Sequence, residues 1–256
     1  MELQKIKCPI CGKNAHSKFK INDEKSKREY FECEFCRFLF QKDKKDMNKR
    51  LYKDNIDWDK DDPGFKKRTK MIKGLMEKII KEKDKKILDY GCGTGLLVSL
   101  LKKDGYNIVG FDPYIKDKST ERGLFKKIDD LPLKKFDYLV VVETIEHLKE
   151  PQRDIKEILS LVEENGFFIF TTQFYIPGKH KIDWQYIKQP AHLSIFTLKA
   201  VEILAKQAGI KKRIPFKIRF EGTKEFLTGQ IWFKKSSFPS WRWSFDNFRI
   251  NYFLGS

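Results

Sequence analysis

The sequence predicts an α/β protein, a doubly wound and mostly parallel sheet with helices on both faces, preceded by a small cysteine-bearing module. Three observations carry that expectation. Short apolar runs alternate with amphipathic helical stretches between residues 66 and 208, the pattern of strands buried on both faces. Ile87-Leu88-Asp89-Tyr90-Gly91-Cys92-Gly93-Thr94-Gly95 reads as a buried strand turning through a glycine loop into a helix. Cys8-x-x-Cys11 and Cys33-x-x-Cys36 place four thiols within the first 40 residues.

Taken in order, residues 1–40 form the cysteine module, with short strands at 30–32 and 38–40 flanking the second pair. Residues 41–65, aspartates among lysines and then Pro63-Gly64, read as a polar linker. Residues 66–235 form the main domain. Its first helix spans about 66–81, with Met71, Leu75, Met76 and Ile79 at helical spacing. A strand at 86–90, a helix at 95–103 and a strand at 107–111 follow, then a weak strand at 124–128 and the apolar run 136–142. Pro151 suits the first turn of the next helix, which turns Ile155, Ile158, Leu159 and Val162 inward and takes Asn165-Gly166 as its stop. Residues 167–171 make another strand. The stretch 173–196, with Pro177, Gly178, Trp184, Tyr186 and Pro190, breaks the alternation as a cap insertion. A helix capped by Thr197 runs to about Ala208, with Leu198, Val201, Leu204 and Ala208 inward, and 214–234 supply the last strands. Residues 236–256 are an aromatic and basic tail.

A chain of 256 residues suits one main domain plus a small module. No apolar run approaches the ~18 residues that span a bilayer, and the charged start lacks the apolar stretch of a signal peptide. The expectation is a cytoplasmic protein whose cysteines bind metal rather than form disulfides. The net charge of +17 suits RNA or the surface of an anionic membrane. It is equally what a lysine-rich composition produces. Lysines outnumber arginines about four to one, whereas specific phosphate recognition favours arginine forks.

The glycine loop departs from the dinucleotide fingerprint G-x-G-x-x-G because its third glycine comes one residue early. Asp89, two residues before the first glycine, repels pyrophosphate and suits an ammonium group. Gly91, Cys92, Gly93 and Gly95 would let the backbone approach the ligand closely, and the following helix aims free N–H groups at it. An amino acid joined to a nucleoside fits, which describes S-adenosylmethionine. The segment resembles the first motif of the class I S-adenosylmethionine-dependent methyltransferases, of Rossmann-like fold. Asp112, 17 residues after Gly95, matches the acid that binds both ribose hydroxyls in that family. Asp130, with Leu131 beside it, falls where the family often contacts adenine.

Val140-Val141-Val142-Glu143-Thr144-Ile145-Glu146-His147-Leu148 resembles the motif beside the methyl donor. Two chemistries fit it. In one, His147 is a general base or orienting group for an acceptor hydroxyl, with Glu143 facing donor and acceptor. In the other, Glu143, Glu146 and His147 bind a divalent ion such as magnesium, completed by His192, which is similar to the small-RNA 3′-terminal 2′-O-methyltransferases. A third reading has Glu146 and His147 merely cap the next helix. The stretch 184–197 resembles the acceptor-pocket cover of ubiquinone-biosynthesis-type methyltransferases, making His192 a base or an acceptor contact. A backbone-bonded histidine among packing aromatics fits equally.

Cys8, Cys11, Cys33 and Cys36 have the spacing of two knuckles around a structural zinc. A module of about 40 residues has too little core to stand without one. The order of zinc ribbon, first motif, ribose acid, Glu143–Leu148 string and His192 segment resembles a family of ubiquinone-type methyltransferases with N-terminal ribbons. The resemblance implies O-methylation of a small-molecule, lipid-type or sugar-type acceptor. The rivals are an RNA methyltransferase and a non-enzymatic zinc-ribbon protein that senses the cofactor.

Overall fold

The computed structural model describes residues 6–23, 27–42, 63–115, 120–219 and 226–235. Most of the 41–65 linker and the whole 236–256 tail lie outside the described residues. The main sheet has seven strands: β5 (Ile87–Tyr90), β6 (Ile108–Phe111), β7 (Leu124–Phe125), β8 (Phe136–Val142), β9 (Val162–Thr171), β11 (Lys212–Arg219) and β12 (Phe226–Phe233). Their order is β11-β12-β9-β8-β5-β6-β7. All neighbours are parallel except β12, which runs antiparallel to both β9 and β11. The chain winds outward from β5 through β6 to β7, then restarts at β8 on the other side. A crevice therefore opens beyond the carboxyl ends of β5 and β8, where open α/β sheets bind ligands.

Alternate residues along each strand face opposite layers, and the apolar patterning fills both. Ile87, Ile108, Val140 and Ile169 pack against α1 (Pro63–Ile79) and α2 (Leu96–Lys103). Leu88, Leu139, Val141, Phe168 and Phe170 pack against α3 (Pro151–Ser160) and α5 (Leu198–Gln207). Thr197 caps α5 as expected, its hydroxyl accepting from Ala200 N at 3.0 Å. Leu198, however, is exposed, and the buried face of α5 is Ala200, Val201, Leu204 and Ala205. Val201 and Leu204 face inward as the sequence pattern suggested, while Ala208 is only half-buried and Ala200 and Ala205 complete the buried face.

The expected stop at Asn165-Gly166 is also corrected. α3 ends at Ser160, and Asn165-Gly166 lies inside β9. There the register with β8 slips between Phe136 and Tyr138, and Gly166 lies so close to the Asp137 carbonyl that a Cβ would overlap it. The Asn-Gly pair serves a bulge rather than a helix end. Gly229 in β12 has a similar constraint, being pressed on the Phe170 carbonyl and the Phe216 ring. Gly229→Ala is expected to cost about 2 kcal/mol by overpacking, read as a lower midpoint at unchanged slope in urea unfolding.

A second sheet of five strands runs β1-β2-β3-β4-β10. Four strands come from the cysteine module: β1 (Ile6–Lys7), β2 (Asn14–Asn22), β3 (Lys27–Cys33) and β4 (Leu39–Gln41). The fifth, β10 (Ser194–Ile195), belongs to the 173–196 insertion, which also carries the short α4 (Gln185–Lys188). Module and main domain share one core, with Phe38 stacked near Phe196 at 5.1 Å between ring centroids. Among the described residues no helix is long and apolar enough to cross a membrane.

Candidate active site

A cavity of about 920 Å³ occupies the crevice beyond β5 and β8. Its floor is the glycine loop. Gly91 holds φ 79°, and any Cβ there would meet Thr144 Oγ1 at 2.5 Å, so only glycine lets the two loops touch. Asp89, Gly91, Cys92, Gly93 and Asp112 line the cavity, whereas Gly95 sits behind it as the N-cap of α2 with φ 78°. Asp112 accepts from Gly93 N at 3.0 Å and Tyr114 N at 2.8 Å, which ties the end of β6 to the glycine loop. Cys92 is buried, its sulfur against the position where a Gly110 side chain would stand. Asp130 is exposed at the end of a single 3₁₀ turn (Ile128–Asp130) and Leu131 is buried behind it. Neither lines the cavity. β7 stops at Phe125, short of the strand expected to 128, and that turn carries the acids away from the crevice.

The wall beyond β8 is built from the Glu143–Leu148 string. Glu143 adopts φ 45°, a strained setting for a residue other than glycine. Its N–H donates to Thr171 Oγ1 at 3.0 Å. A single 3₁₀ turn, Ile145–His147, follows, and it brings Glu143, Glu146 and His147 to the same cavity. The insertion adds Trp184, Tyr186 and His192, and α1 adds Phe65 and Arg68.

His147 and His192 meet across this wall, their ring centroids 5.1 Å apart. His147 Nδ1 lies 2.9 Å from the Ala191 carbonyl, and His192 Nδ1 lies 2.7 Å from the Tyr186 carbonyl. A carbonyl only accepts, so each Nδ1 carries the proton; His192 Nε2 keeps its lone pair, whereas the His147 ring also meets the Glu143 main chain. Burial holds both imidazoles below the ordinary histidine range, and for His192 the nearby His147 adds to the effect. Both are therefore neutral bases near pH 7. His192 Nε2 lies 4.0 Å from Glu146 Oε1. Glu146 Oε2 accepts from Thr172 Oγ1 at 3.3 Å, while Oε1 is buried with no hydrogen-bond partner. One ligand atom from each of Glu146, His147 and His192 falls within 4.8 Å of the others.

Four acids of the cavity, Asp89, Asp112, Glu143 and Glu146, are raised. Asp89 is pushed up to about 8 by burial and then by the charge of Asp112. Burial likewise lifts Asp112, against two backbone N–H donors that pull it down. Glu143 rises to about 8 through burial and the neighbouring Glu146. Such a set favours a ligand that brings positive charge.

In the N-terminal module, four sulfurs face one another. Cys8 and Cys36 are 3.6 Å apart, Cys11 and Cys33 are 3.4 Å apart, and Cys11 and Cys36 are 3.6 Å apart. A tetrahedron of thiolates at the zinc–sulfur length has edges of about 3.8 Å. Main-chain N–H groups of Ile10, Phe35 and Cys36 point at Cys8 or Cys33 sulfur at 3.4 Å, the donors that stabilise thiolate charge. His16 stays outside, its ring 3.9 Å from Glu34.

Sequence reasoning missed Arg68 and Phe65 on α1, and Thr171 and Thr172 at the end of β9. Helical periodicity marks only the buried stripe of α1. The two threonines read as the polar end of an apolar strand, and only the sheet order brings them beside Glu143 and Glu146.

A family model described as methyltransferase domain matches residues 65–213. The ubiquinone biosynthesis O-methyltransferase of Coxiella burnetii is 31% identical over 110 residues, covering 38% of this chain and 47% of that protein. That of Histophilus somni is 29% identical over 107 residues, 35% of this chain and 45% of that protein. The chain thus spans about half the length of the curated relatives it matches. Among solved structures, a methyltransferase of Thermotoga maritima, described as a possible histamine N-methyltransferase, aligns with TM-score 0.51 and 18% identity over 73% of this chain and 98% of that one. The 1,6-didemethyltoxoflavin-N1-methyltransferase of Burkholderia thailandensis aligns with TM-score 0.53 and 14% identity over 73% and 85%. At these identities the two structures establish the fold.

Proposed function

The chain belongs to the class I S-adenosylmethionine-dependent methyltransferases, and from that premise we propose that it transfers a methyl group to a hydroxyl of a small-molecule acceptor, with His192 and His147 facing the reacting oxygen. The observation that carries the reading is the buried His192 imidazole, whose Nδ1 is tied to the Tyr186 carbonyl and whose ring meets that of His147 in the cavity wall. That leaves the His192 Nε2 lone pair to act as the base. When bound, S-adenosylmethionine supplies an activated methyl group, so positioning contributes more than acid–base strength.

Asp89 would take the ammonium group, the loop through Gly91 and Gly93 would admit the backbone-close ligand, and Asp112 would bind the ribose. Glu143, on the same cavity wall, would border donor and acceptor. The His192 Nε2 lone pair receives the proton that leaves the acceptor hydroxyl, and Trp184 and Tyr186 cover the acceptor and exclude water. The module of residues 1–40 holds a structural zinc at Cys8, Cys11, Cys33 and Cys36. Its sulfur spacing and N–H donors support that donor set.

A second reading is favoured by one observation, the orphaned Glu146 Oε1 beside two neutral imidazoles. Glu146, His147 and His192 would hold a divalent ion, with each Nδ1–H already fixed by a carbonyl as metal-bound histidines require. Two imidazoles and a carboxylate suit manganese, iron or zinc better than the magnesium the sequence suggested. Such an ion would acidify a bound hydroxyl, ribose included.

The test uses S-adenosylmethionine carrying a labelled methyl group, with catechol and structured RNA as acceptor probes. His192→Ala is expected to lower transfer to catechol about a hundredfold or more while leaving S-adenosylhomocysteine affinity unchanged. Transfer to RNA alone, with Mn²⁺ binding by calorimetry that His192→Ala abolishes, would instead establish the second reading. Full activity of His192→Ala would remove both.

A further inference from the structure

We propose that Tyr30 and Gln41 of the cysteine module are positioning residues for His192, acting through its main-chain carbonyl. The module thereby forms the acceptor-side wall of the transfer site. The inference rests on the reading of His192 given above.

His192 stands between α4 and β10, in a segment with little structure of its own. Its ring is held by the 2.7 Å contact of Nδ1 with the Tyr186 carbonyl and by packing on the Tyr186 and His147 rings, centroids 4.1 and 5.1 Å away. Its main-chain carbonyl is held by the module. The Tyr30 hydroxyl donates to the His192 carbonyl at 2.6 Å, and Gln41 Nε2 donates to the same oxygen at 3.1 Å. Gln41 Nε2 also reaches the Tyr30 oxygen at 3.0 Å, closing a small network. One residue on, Gln41 N donates to the Leu193 carbonyl at 3.0 Å, and β4 pairs with β10 through Phe40–Ser194 and Leu39–Ile195. Four residues back, Arg28 donates to the Lys188 carbonyl at 2.7 Å.

The opposite edge of the same segment holds the catalytic string. Leu193 N donates to the Glu146 carbonyl at 2.8 Å, His147 Nδ1 donates to the Ala191 carbonyl, and Ser194 Oγ donates to the Leu148 carbonyl at 2.8 Å. Residues 188–195 are thus gripped from both sides, by the module on one and by Glu146–Leu148 on the other.

The chemistry of the grip separates a positioning device from ordinary packing. Tyr30 is fully buried and Gln41 is 4% exposed, beside the buried Phe31, Leu39 and Phe40. Burying a hydroxyl and a carboxamide is costly unless each finds partners. Here the carbonyl partners of both side chains, Pro190 and His192, lie on the 190–192 segment, with the Arg28 side chain also beside the Tyr30 hydroxyl. Apolar residues would fill the same space without that cost. They would also leave the His192 carbonyl unpaired and its loop free to slide. A reacting group displaced by about 1 Å loses up to roughly a hundredfold in rate.

The experiment compares full-length protein saturated with S-adenosylhomocysteine, its Tyr30→Phe and Gln41→Leu variants, and the double variant. It reads histidine ring ¹⁵N resonances and amide hydrogen exchange. In the parent, His192 is expected to show the Nδ1–H tautomer alone. In the double variant its ring signals should shift and broaden, and protection of the Leu193 and Gln41 amides should fall about tenfold. His16 and His180 signals should stay fixed, and S-adenosylhomocysteine affinity should hold within about threefold. His192 signals that match the parent in the double variant would overturn the proposal. Tyr30→Phe removes one oxygen and keeps the ring, so it decides the matter if the double variant fails to fold. A parent that does not bind S-adenosylhomocysteine counts against the reading of the site. Unmoved His192 signals in the double variant, where the parent does bind it, count against the positioning role alone.

Discussion

Asp89→Asn is expected to weaken S-adenosylmethionine binding about a hundredfold while making the ligand-free protein more stable. Asp89 is buried, faces the glycine loop, and has no hydrogen bond of its own among the described contacts of the cavity floor. Truncating one partner of a buried charge pair costs roughly 3 kcal/mol, which is about a hundredfold in affinity. The pH dependence follows from the raised carboxyl, at about 8. A cationic ligand binds the carboxylate form, so below that pH affinity should rise close to tenfold per pH unit, and it should level off above it. The asparagine variant should lose this slope.

Stability runs the other way. A carboxyl whose folded value lies above its unfolded value of 3.8 leaves stability intact at low pH. That stability is lost as pH rises toward 8, because only the unfolded chain ionises freely. At pH 8 the variant should therefore gain about 2 kcal/mol or more, because asparagine has no ionisation for burial and the Asp112 charge to oppose. That corresponds to roughly 4 °C or more in Tm. The gain should vanish near pH 4. Calorimetric titration and thermal melts across pH 5–9 check both halves. A variant that binds S-adenosylmethionine as tightly as the parent would end the assignment of Asp89.

Loss of the cysteine centre should have the largest structural effect. Cys8, Cys33 and Cys36 are buried, and Cys33 Sγ receives two main-chain N–H groups. A structural zinc contributes on the order of 10 kcal/mol to folding, comparable with the whole stability of a domain. Cys33→Ser is therefore expected to release one zinc per chain by elemental analysis and to unfold residues 1–40. The shared core through Phe38 and Phe196 would lower the main melting transition as well. Asp89 and the glycine loop belong to the main sheet and not to the module's sheet, so S-adenosylhomocysteine binding should survive at low temperature while methyl transfer is lost. An unchanged metal content would remove the zinc assignment.

Much of the fold was legible because its signals are local. The Ile87–Tyr90 strand, the glycine loop, the α2 start and the Thr197 cap each depend on residues within one or two turns of one another. The same holds for the two cysteine knuckles. The errors were local signals with two meanings. Asn165-Gly166 ends a helix or makes a bulge, and only the approach of the Asp137 carbonyl selects the bulge. Leu198 fits an inward stripe by spacing, yet it is exposed, and Ala200 and Ala205 join Val201 and Leu204 on the buried face. Asp130 and Leu131 have the right distance from β6 along the chain, but a 3₁₀ turn carries them off the cavity.

The sequence by itself determined the cofactor class and the four-sulfur cluster, because each rests on residue types at short, fixed spacing. What only the tertiary structure decided is the acceptor side. His192 faces His147 because β4 of an apparently separate module pairs with β10. Glu143 takes its strained φ because Thr171 lies on a strand 28 residues away. Tyr30 and Gln41 look like ordinary strand residues until their donors are seen to end on the His192 carbonyl. Spacing along a chain specifies a loop, but contacts between elements far apart in sequence are chosen only when the sheet order is set.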